Sequence, residues 1–359
     1  MVAALAALPL APAQASNGMV PHGNGAAAKG LSGAVTALAL DTQAGSHNPV
    51  ATEFFLIPAM GVNWMIDEKS SIGITLTPAG GMNTDYQAAV FGLFQGGSSA
   101  PTGIDLAQIM LGVTYAREIA PGQRTGITPV LAAQRIRTEG LEPFDGVSVD
   151  RGSVTNNGYD HSVGYGFRIG WQGDFFRDFT IGASHQSRMY MTEFTKYAGL
   201  FAEQGDFDFA PISNLGIAYR VTPNLTLALD WQHIWDNEID SIAINGNVAL
   251  VAGVLGGDKG AGFGWEDMDV VKFGVQWDTS DALTLRTGIS YNSQTFNDDQ
   301  VLFNILAPGV VRIHASVGAS YKISENHAVN FSFTRAFSDS VTGTSVHTGT
   351  HTSQQRRAP

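Results

Sequence analysis

The sequence lacks cysteine and is poor in charged residues. None of its 359 residues is cysteine, which suits an exported protein that avoids disulfide chemistry. Charged residues make up 14%, against roughly 25% in a soluble domain. No apolar run approaches the ~20 residues of a membrane-spanning helix, so only a barrel of strands could cross a bilayer. The net charge of −12 argues against a nucleic-acid partner.

Enzyme motifs are also missing. The chain has no His-Glu-x-x-His, no Gly-x-Ser-x-Gly and no Ser-x-x-Lys. Gly260, Gly262 and Gly264 are spaced as in a phosphate loop, but they precede a strand and are better interpreted as turn residues. His347 and His351 have a metal-like spacing but lie in a C-terminal tail of unusual composition. The sequence therefore predicts neither an enzyme nor a cofactor or metal site.

What the chain does contain is alternation. From Val310 to Ile323 apolar and polar residues alternate with a period of two, which predicts a β-strand with one apolar face. That face could line a soluble core or face lipid in an outer-membrane barrel. The same pattern recurs over residues 163–171, 225–232, 271–278, 283–291 and 329–337.

Aromatic residues on the apolar face favour the barrel. Each lies a few residues before a short turn, as in a girdle at one membrane interface, which a soluble core has no reason to build. These residues are Trp64, Tyr115, Trp171, Tyr219, Trp277 and Tyr321.

About twelve strands follow from Glu53 onwards, and short turns alternate with long loops. This predicts an antiparallel transmembrane β-barrel over residues 53–340, with the short turns in the periplasm. The predicted turns are 67–70, 120–123, 173–178, 222–224, 278–281 and 324–327, and the predicted loops are 80–103, 138–157, 193–211, 237–267 and 293–308.

The region before the barrel divides in two. Residues 1–15 have the apolar core and Ala-x-Ala end of a secretory signal without its basic start, which predicts a signal-peptide remnant. Residues 16–52 are rich in Gly and Ala and show no strand pattern. An unstructured N-terminal arm is the alternative.

The run AAAKGLSGAVTAL…HNP resembles the N-terminal plug of the FadL-type family, outer-membrane transporters of long-chain fatty acids and other hydrophobic compounds. Lys29, Gly30, Asn48 and Pro49 fit the plug pattern, although Val50 stands where Ala is usual. Four further segments resemble the aromatic-hydrocarbon and fatty-acid porin branch: GGMNTDY (80–86), KYAGLFAEQGDFDFAP (196–211), GAGFGWEDMDVVKFG (260–274) and FNILAPGVVRIHASVG (303–318).

The resemblance implies fourteen strands around a plug, and the sequence accounts for about twelve. One strand before residue 53 and one after residue 337 are not apparent, and residues 341–359 form an atypical tail. We expect either an incomplete or frameshifted product, or a twelve-strand variant in which residues 53–66 pair with 327–337.

Basic and apolar residues supply two groups of candidate site residues. Lys272, Arg286 and Arg312, with Arg168 and Lys322, share the lumenal face, since a cation facing mid-bilayer costs roughly 2–4 kcal/mol. They either pair with Asp230, Asp269 or Asp278 or contact a ligand. An apolar stripe at helical spacing in the loop 193–211 captures a hydrophobic ligand, packs against the loop 237–267, or does both. The stripe consists of Phe194, Tyr197, Leu200 and Phe201.

The stretch around Pro78 supplies a third candidate. Pro78 cannot donate to a ladder, and Gly80 and Gly81 tolerate a bend. The resemblance implies an inward kink here that opens a sideways exit into the membrane; a simple strand end is the alternative.

Together these observations predict a monomeric barrel in the outer membrane of a Gram-negative cell, surrounded by outer-membrane lipid and lipopolysaccharide. The resemblance implies passive import of a fatty acid or an aromatic hydrocarbon. Burial of methylenes at about 0.8 kcal/mol each would supply the binding energy. A structural or adhesive barrel and a general diffusion porin are the rival interpretations.

Overall fold

The computed structural model describes residues 16–23, 25–38, 60–92, 94, 97–247, 254–325, 327–345 and 349–355. The predicted signal-peptide remnant lies outside these residues. Near the N-terminus a two-stranded ladder, β1 (Ser16–Asn17) with β2 (Val20–Pro21), precedes helix α1 (Gly25–Gly30).

The rest of the chain builds one large antiparallel sheet in which most strands pair with their neighbours in sequence. The main path runs without a crossover from β3 to β15, and β9 pairs with β7 beside this path. It confirms the predicted meander of about twelve strands. The strands are β3 Met60–Met65, β4 Ser70–Tyr86, β5 Thr102–Ala120, β6 Gln123–Glu139, β7 Asp160–Phe175, β8 Phe179–Gln186, β9 Tyr190–Met191, β10 Ile212–Thr222, β11 Leu225–Ile234, β12 Met268–Asp278, β13 Leu283–Asn292, β14 Ile313–Ser324 and β15 His327–Ala336.

The strands β4 to β7 are longer than a membrane requires. They contain 17, 19, 17 and 16 residues, whereas about 9–11 suffice to span a bilayer. The predicted loop 80–103 is corrected accordingly, because Tyr86 still pairs with Thr102 and the loop occupies only residues 87–101. The ladder can continue beyond the membrane because paired strands satisfy their backbone N–H and C=O groups in water as well as in lipid.

The two faces of the sheet have the predicted chemistry. Outward-facing apolar side chains such as Val317, Ile289 and Leu131 are 50–63% exposed, whereas the inward-facing Ser316 and Ser290 are buried. The predicted aromatic girdle is at the end that carries the short turns, here called the turn end. Five of its side chains, Trp64, Tyr115, Tyr219, Trp277 and Tyr321, are 41–56% exposed, and Trp171 is half-buried.

A second aromatic belt lies at the opposite, loop end of the sheet. Trp231, Trp235 and Tyr291 are exposed there, and Val271 pairs with both Trp231 and Tyr291 across the ladder. The two belts enclose an apolar outer surface, the arrangement of a transmembrane barrel. Among the described residues, no helix is both long and apolar enough to span a membrane.

The first and last strands of the path are β3 and β15. Within the described ranges no ladder connects them, so the pairing considered between residues 53–66 and 327–337 is not observed there. Beyond β15 a separate hairpin, β16 (Asp339–Ser345) with β17 (Gly349–Gln355), follows. β16 contacts the 3₁₀ turn Asp298–Gln300 and the helix α4 (Val301–Asn304).

The N-terminal residues 16–23 and 25–38, here called the lumenal segment, pack against the inward face of the sheet. The Ser32 N–H donates to the Ser316 Oγ at 2.9 Å, and the His22 Nε2 lies 2.7 Å from the Ser290 Oγ. A Cβ on Gly318 would lie 2.9 Å from the Gly30 Cα. Strand glycine is therefore required where the two backbones approach each other.

The long loops fold into an apolar cluster of their own at the loop end. Its largest fully buried side chains include Trp265, Phe194, Phe207 and Phe296. Besides Asp298–Gln300 and α4, the described parts of the loops contain further short helical pieces, which are the 3₁₀ turns Glu142–Val147, Thr195–Tyr197 and Asp236–Glu238 and the helices α2 (Ala202–Gly205) and α3 (Asp240–Ala243).

Candidate functional site

A cavity of about 250 Å³ lies between the inward face of the sheet, the lumenal segment and the loop cluster. Met19, Val20 and Pro21 of the lumenal segment form one wall, and Phe209 with Ala210 of the loops forms another. Strand side chains complete the cavity, with apolar groups such as Met110 beside amides and one guanidinium. A half-open, partly apolar space with a few polar groups has the character of a ligand site.

Arg168 is the cation of the cavity wall. It lies on β7, faces inward as predicted, and its Nε donates to the Gln186 Oε1 at 2.8 Å. Its Nη2 lies 3.0 Å from the Met110 Sδ. Asp208 lies on the same wall, is bound by Arg188 and accepts the Met191 N–H at 2.6 Å.

A β-bulge in β4 borders the cavity. Pro78 pairs with Ile109 and Gly80 pairs with Gln108, so Ala79 is an extra residue in the strand. The strand then continues to Tyr86, which excludes the simple strand end as the explanation of this sequence. Ala79 is buried and lines the cavity.

Both predicted glycines of this stretch are sites of close approach. A Cβ on Gly80 would lie 2.7 Å from the Met19 carbonyl oxygen, and one on Gly81 would lie 2.6 Å from the Leu106 carbonyl oxygen. On its other side, β4 is paired with β3 only as far as Leu76, opposite Met60, in the described part of the chain.

The lumenal segment is attached to the barrel by Asp230. One carboxylate oxygen of Asp230 on β11 accepts the N–H groups of Val35 at 2.8 Å and Thr36 at 2.7 Å. Lys272, the cross-strand neighbour of Asp230, is also buried. Of the predicted plug residues, Lys29 is half-buried in α1, Gly30 touches Gly318, and Asn48 and Pro49 lie outside the described residues.

The three predicted lumenal cations have different surroundings. Lys272 lies opposite Asp230, one of the acids considered for it. Arg286 donates through Nε to the Gln276 Oε1 at 2.9 Å. Arg312 precedes β14 at the loop end and donates through Nε to the Asp339 Oδ2 at 2.7 Å. Its partner is thus on the terminal hairpin, which the sequence did not predict, and not among the three acids considered.

The predicted capture stripe does not form an open groove. Phe194 and Tyr197 are fully buried, Phe201 is 3% exposed, and Leu200 packs against the same cluster. Leu255 belongs to this cluster, and the Glu203 N–H donates to the Gly257 carbonyl at 3.0 Å. The alternative, packing against the loop 237–267, is the arrangement that the structure has.

The helical spacing of the stripe predicts a single apolar helix face, but the backbone of these residues does not form a regular helix. Thr195–Tyr197 is a single 3₁₀ turn, and Glu203 and Gln204 within α2 have φ of 53° and 57°. A regular helix cannot contain two consecutive left-handed residues. The apolar spacing reflects burial from several sides rather than one helical face.

Two carboxyl groups in the loops have raised pKa values. Burial, assisted by neighbouring Asp267, raises the pKa of Asp236 to about 7. Burial and the charge of Asp208 raise the pKa of Asp206 to about 7. Both groups therefore bind protons more tightly in the folded loops than in an unfolded chain.

This gives a pH dependence with a defined sign. Asp206 and Asp236 have a higher pKa in the folded protein than in the unfolded chain, where it is near 4. Their protonation therefore stabilises the loop cluster fully below about pH 4, and this stabilisation is lost as the pH rises through about 7. We expect faster amide hydrogen exchange in residues 200–210 and 235–244 at about pH 8 than at about pH 5, after correction for intrinsic rates. Asp236→Asn should flatten this dependence, whereas Asn at the exposed Asp258 should leave it unchanged. Equal dependence in both variants would contradict the assignment.

Comparison with known proteins shows one family profile that matches part of the sequence. Residues 212–358 match the sequence profile described as "Outer membrane protein transport protein (OMPP1/FadL/TodX)". This match includes most of residues 341–359, which the sequence predicts to be an atypical tail. No curated protein matches the chain in a sequence search.

Solved structures share the fold over most of the chain. The toluene transporter TodX of P. putida aligns with a TM-score of 0.61 at 14% identity, over 86% of this chain and 80% of TodX. The CymD monoaromatic hydrocarbon channel aligns with a TM-score of 0.58 at 13% identity, over 89% and 93% of the two chains. A FadL homologue of Pseudomonas aeruginosa gives 0.58 at 13% identity, over 83% and 74%.

The predicted resemblance, the barrel and its place in the outer membrane of a Gram-negative cell are thereby confirmed. The profile covers the second half of the barrel, and the fold shared with TodX extends over 86% of the chain. Over residues 212–358 the chain thus matches the OMPP1/FadL/TodX family of outer membrane transport proteins, and it shares its fold with TodX, CymD and a FadL homologue.

Proposed function

We propose that this protein carries small hydrophobic molecules, of the size of a one-ring aromatic hydrocarbon, across the outer membrane through the cavity beside the β4 bulge. The observation that carries this proposal is the cavity of about 250 Å³ that Ala79, Met19 and Ala210 help to line. This volume is below the roughly 300–1,000 Å³ of sites for drug-sized ligands. TodX and CymD are described as a toluene transporter and a monoaromatic hydrocarbon channel.

The energetics suit passive transport. A one-ring aromatic that buries about 150–200 Å² gains about 4–5 kcal/mol at 25 cal/mol per Å². That gain corresponds to dissociation constants from about 1 mM to a few hundred μM. Such a ligand enters the cavity readily and leaves it without an energy source, whereas the lumenal segment obstructs the path of water-soluble solutes.

The exit in this proposal is sideways. The bulge at Ala79 bends β4 beside the cavity. A hydrophobic cargo gains nothing from release into periplasmic water, so a path through the wall into lipid is the favourable route.

A long-chain fatty acid is the second candidate, and Arg168 is the observation that favours it. Its guanidinium lies on the cavity wall, where it could contact a carboxylate. An acyl chain would have to extend beyond the enclosed volume, so this ligand requires displacement of the lumenal segment or the loops.

Filling the cavity tests the proposal. Ala210→Phe places a ring in the cavity, whereas Ala307→Phe overpacks the loop cluster elsewhere. Overpacking costs about 1–3 kcal/mol in either case. We expect Ala210→Phe to weaken binding of tritiated toluene to protein in nanodiscs about tenfold or more, and Ala307→Phe to leave it within about twofold of the parent.

Two results would contradict this proposal. Unchanged toluene binding in Ala210→Phe would remove the cavity from the transport path. Saturable decanoate binding that is lost in Arg168→Gln, with no saturable toluene binding, would favour the fatty-acid alternative.

A further inference from the structure

Two arginines occupy the lipid-facing side of β6. The odd-numbered residues of this strand point outward, as Ile127 and Leu131 show by exposures of 50% and 63%. The even-numbered Val130 and Ile136 are buried on the inner side. Arg135 and Arg137 therefore project from the outer surface of the barrel, in line with its apolar band.

Arg135 and Arg137 lie at the height of a membrane boundary. The turn-end girdle crosses β6 at Thr125, which pairs with Trp171. Ten residues separate Thr125 from Arg135 and span about 33 Å along the strand. A strand tilt of 35–45° converts this length to about 25 Å across the membrane, the height of the apolar band of such barrels. The short turns are periplasmic, so both guanidiniums lie at the headgroups of the outer leaflet.

The two guanidiniums share one supporting ring. The Cζ atoms of Arg135 and Arg137 lie 4.7 Å and 5.2 Å from the centroid of Tyr159. The Tyr159 hydroxyl donates to the Asp105 carboxylate, and the Lys196 Nζ donates to the Tyr159 carbonyl at 2.7 Å. The ring is thus fixed from two sides, and it holds both cations side by side.

The hydrogen-bond donors of this pair face outward. The Arg135 and Arg137 side chains are 41% and 40% exposed. Their nearest carboxylate oxygens, on Asp105 and Glu139, are 3.8 Å and 3.5 Å away, too far for strong hydrogen bonds.

The turn end of the same strand shows a contrast. Arg124 is paired directly with Asp174 at 2.9 Å. Arg124 thus contacts its carboxylate at hydrogen-bond distance, whereas the carboxylates nearest to Arg135 and Arg137 lie 3.8 Å and 3.5 Å away.

We propose that Arg135, Arg137 and Tyr159, with the exposed His161 opposite Arg135, form a binding site for a phosphate of lipopolysaccharide in the outer leaflet. A stacked guanidinium presents a planar fork that matches phosphate oxygens bidentately. Ile127 and Leu131 below the pair offer an apolar surface for the acyl chains of the same lipid. The charge of the pair and its height at a lipid boundary favour an anionic lipid over a soluble anion.

The test compares lipids that differ only in phosphate. Purified parent protein and the double variant Arg135→Gln with Arg137→Gln are titrated with bisphosphorylated lipid A and with its dephosphorylated form, and bound lipid is counted by native mass spectrometry. We expect about tenfold weaker binding of bisphosphorylated lipid A in the double variant, as for the loss of two exposed charge-assisted contacts. Arg124→Gln is the matched control and should bind as the parent does.

A second variant guards against a folding defect. Arg135→Lys with Arg137→Lys retains both charges but loses the planar fork, and it should bind with intermediate strength. Equal binding of lipid A by the parent and the Gln variant would overturn the proposal. Complete competition by millimolar inorganic phosphate would also overturn it, since the site would then take a free anion only.

Discussion

Deletion of Ala79 should lower the uptake of radiolabelled toluene about tenfold or more, because it removes the extra residue of the β4 bulge. Pro78 would remain opposite Ile109 and Gly80 opposite Gln108, so the ladder with β5 would become continuous. A straight strand would close the wall beside the cavity. Uptake is measured in porin-deficient cells that carry equal amounts of heat-modifiable barrel.

A second bulge supplies the matched control. Glu118 pairs with Arg124 and Ala120 with Gln123, so Ile119 is an extra residue at a periplasmic turn. Deleting Ile119 should leave uptake near the parental rate. Parental uptake after deletion of Ala79 would contradict lateral exit at this strand. Valine at Gly80 or Gly81 would be a less informative change, because either Cβ would collide with a carbonyl oxygen.

Asp230→Ala should convert the protein into an ion-conducting pore. The substitution would leave the Val35 and Thr36 N–H groups without their acceptor, at about 1–3 kcal/mol each when buried. It would also remove the carboxylate of the residue that faces the buried Lys272 across the ladder. Together these costs favour displacement of the lumenal segment from the barrel. Planar-bilayer recordings should show a several-fold larger single-channel conductance than that of the parent.

Asp339→Ala is the control for this change. It breaks the ion pair with Arg312 at the loop end without touching the lumenal segment. Its conductance should equal that of the parent. A low conductance in Asp230→Ala would mean that the lumenal segment is held by its other contacts, such as that of Ser32 with Ser316.

The barrel was predictable from sequence because its signals are local. Side chains of a strand alternate by geometry, so the faces of β14 can be read from residues 313–324 alone. The girdle at Trp277 and Tyr321 follows from the same alternation. The bulge lies in a stretch whose local chemistry permits it, since Pro78 cannot donate to a ladder and Gly80 tolerates a bend; the inward kink is implied only by the family resemblance.

The contacts of the site were not predictable in this way, because they join distant parts of the chain. Val35 and Asp230 are 195 residues apart, and no pattern within either segment indicates the other. The spacing of Phe194 and Phe201 in the sequence predicts an exposed apolar face, yet neighbouring loops bury both side chains. Arg135 and Arg137 continue the outward face of β6, but their contact with the ring of Tyr159 joins residues more than 20 positions apart.

The central claim is that this barrel admits small hydrophobic molecules and excludes water-soluble ones. The most direct measurement is the initial uptake rate of radiolabelled toluene and of radiolabelled sucrose in porin-deficient Gram-negative cells with intact lipopolysaccharide, with and without the protein. The account predicts a several-fold rise in toluene uptake and no change in sucrose uptake. A parallel rise in sucrose uptake would indicate a general diffusion porin, and no rise in either would indicate a structural barrel; both would contradict the account.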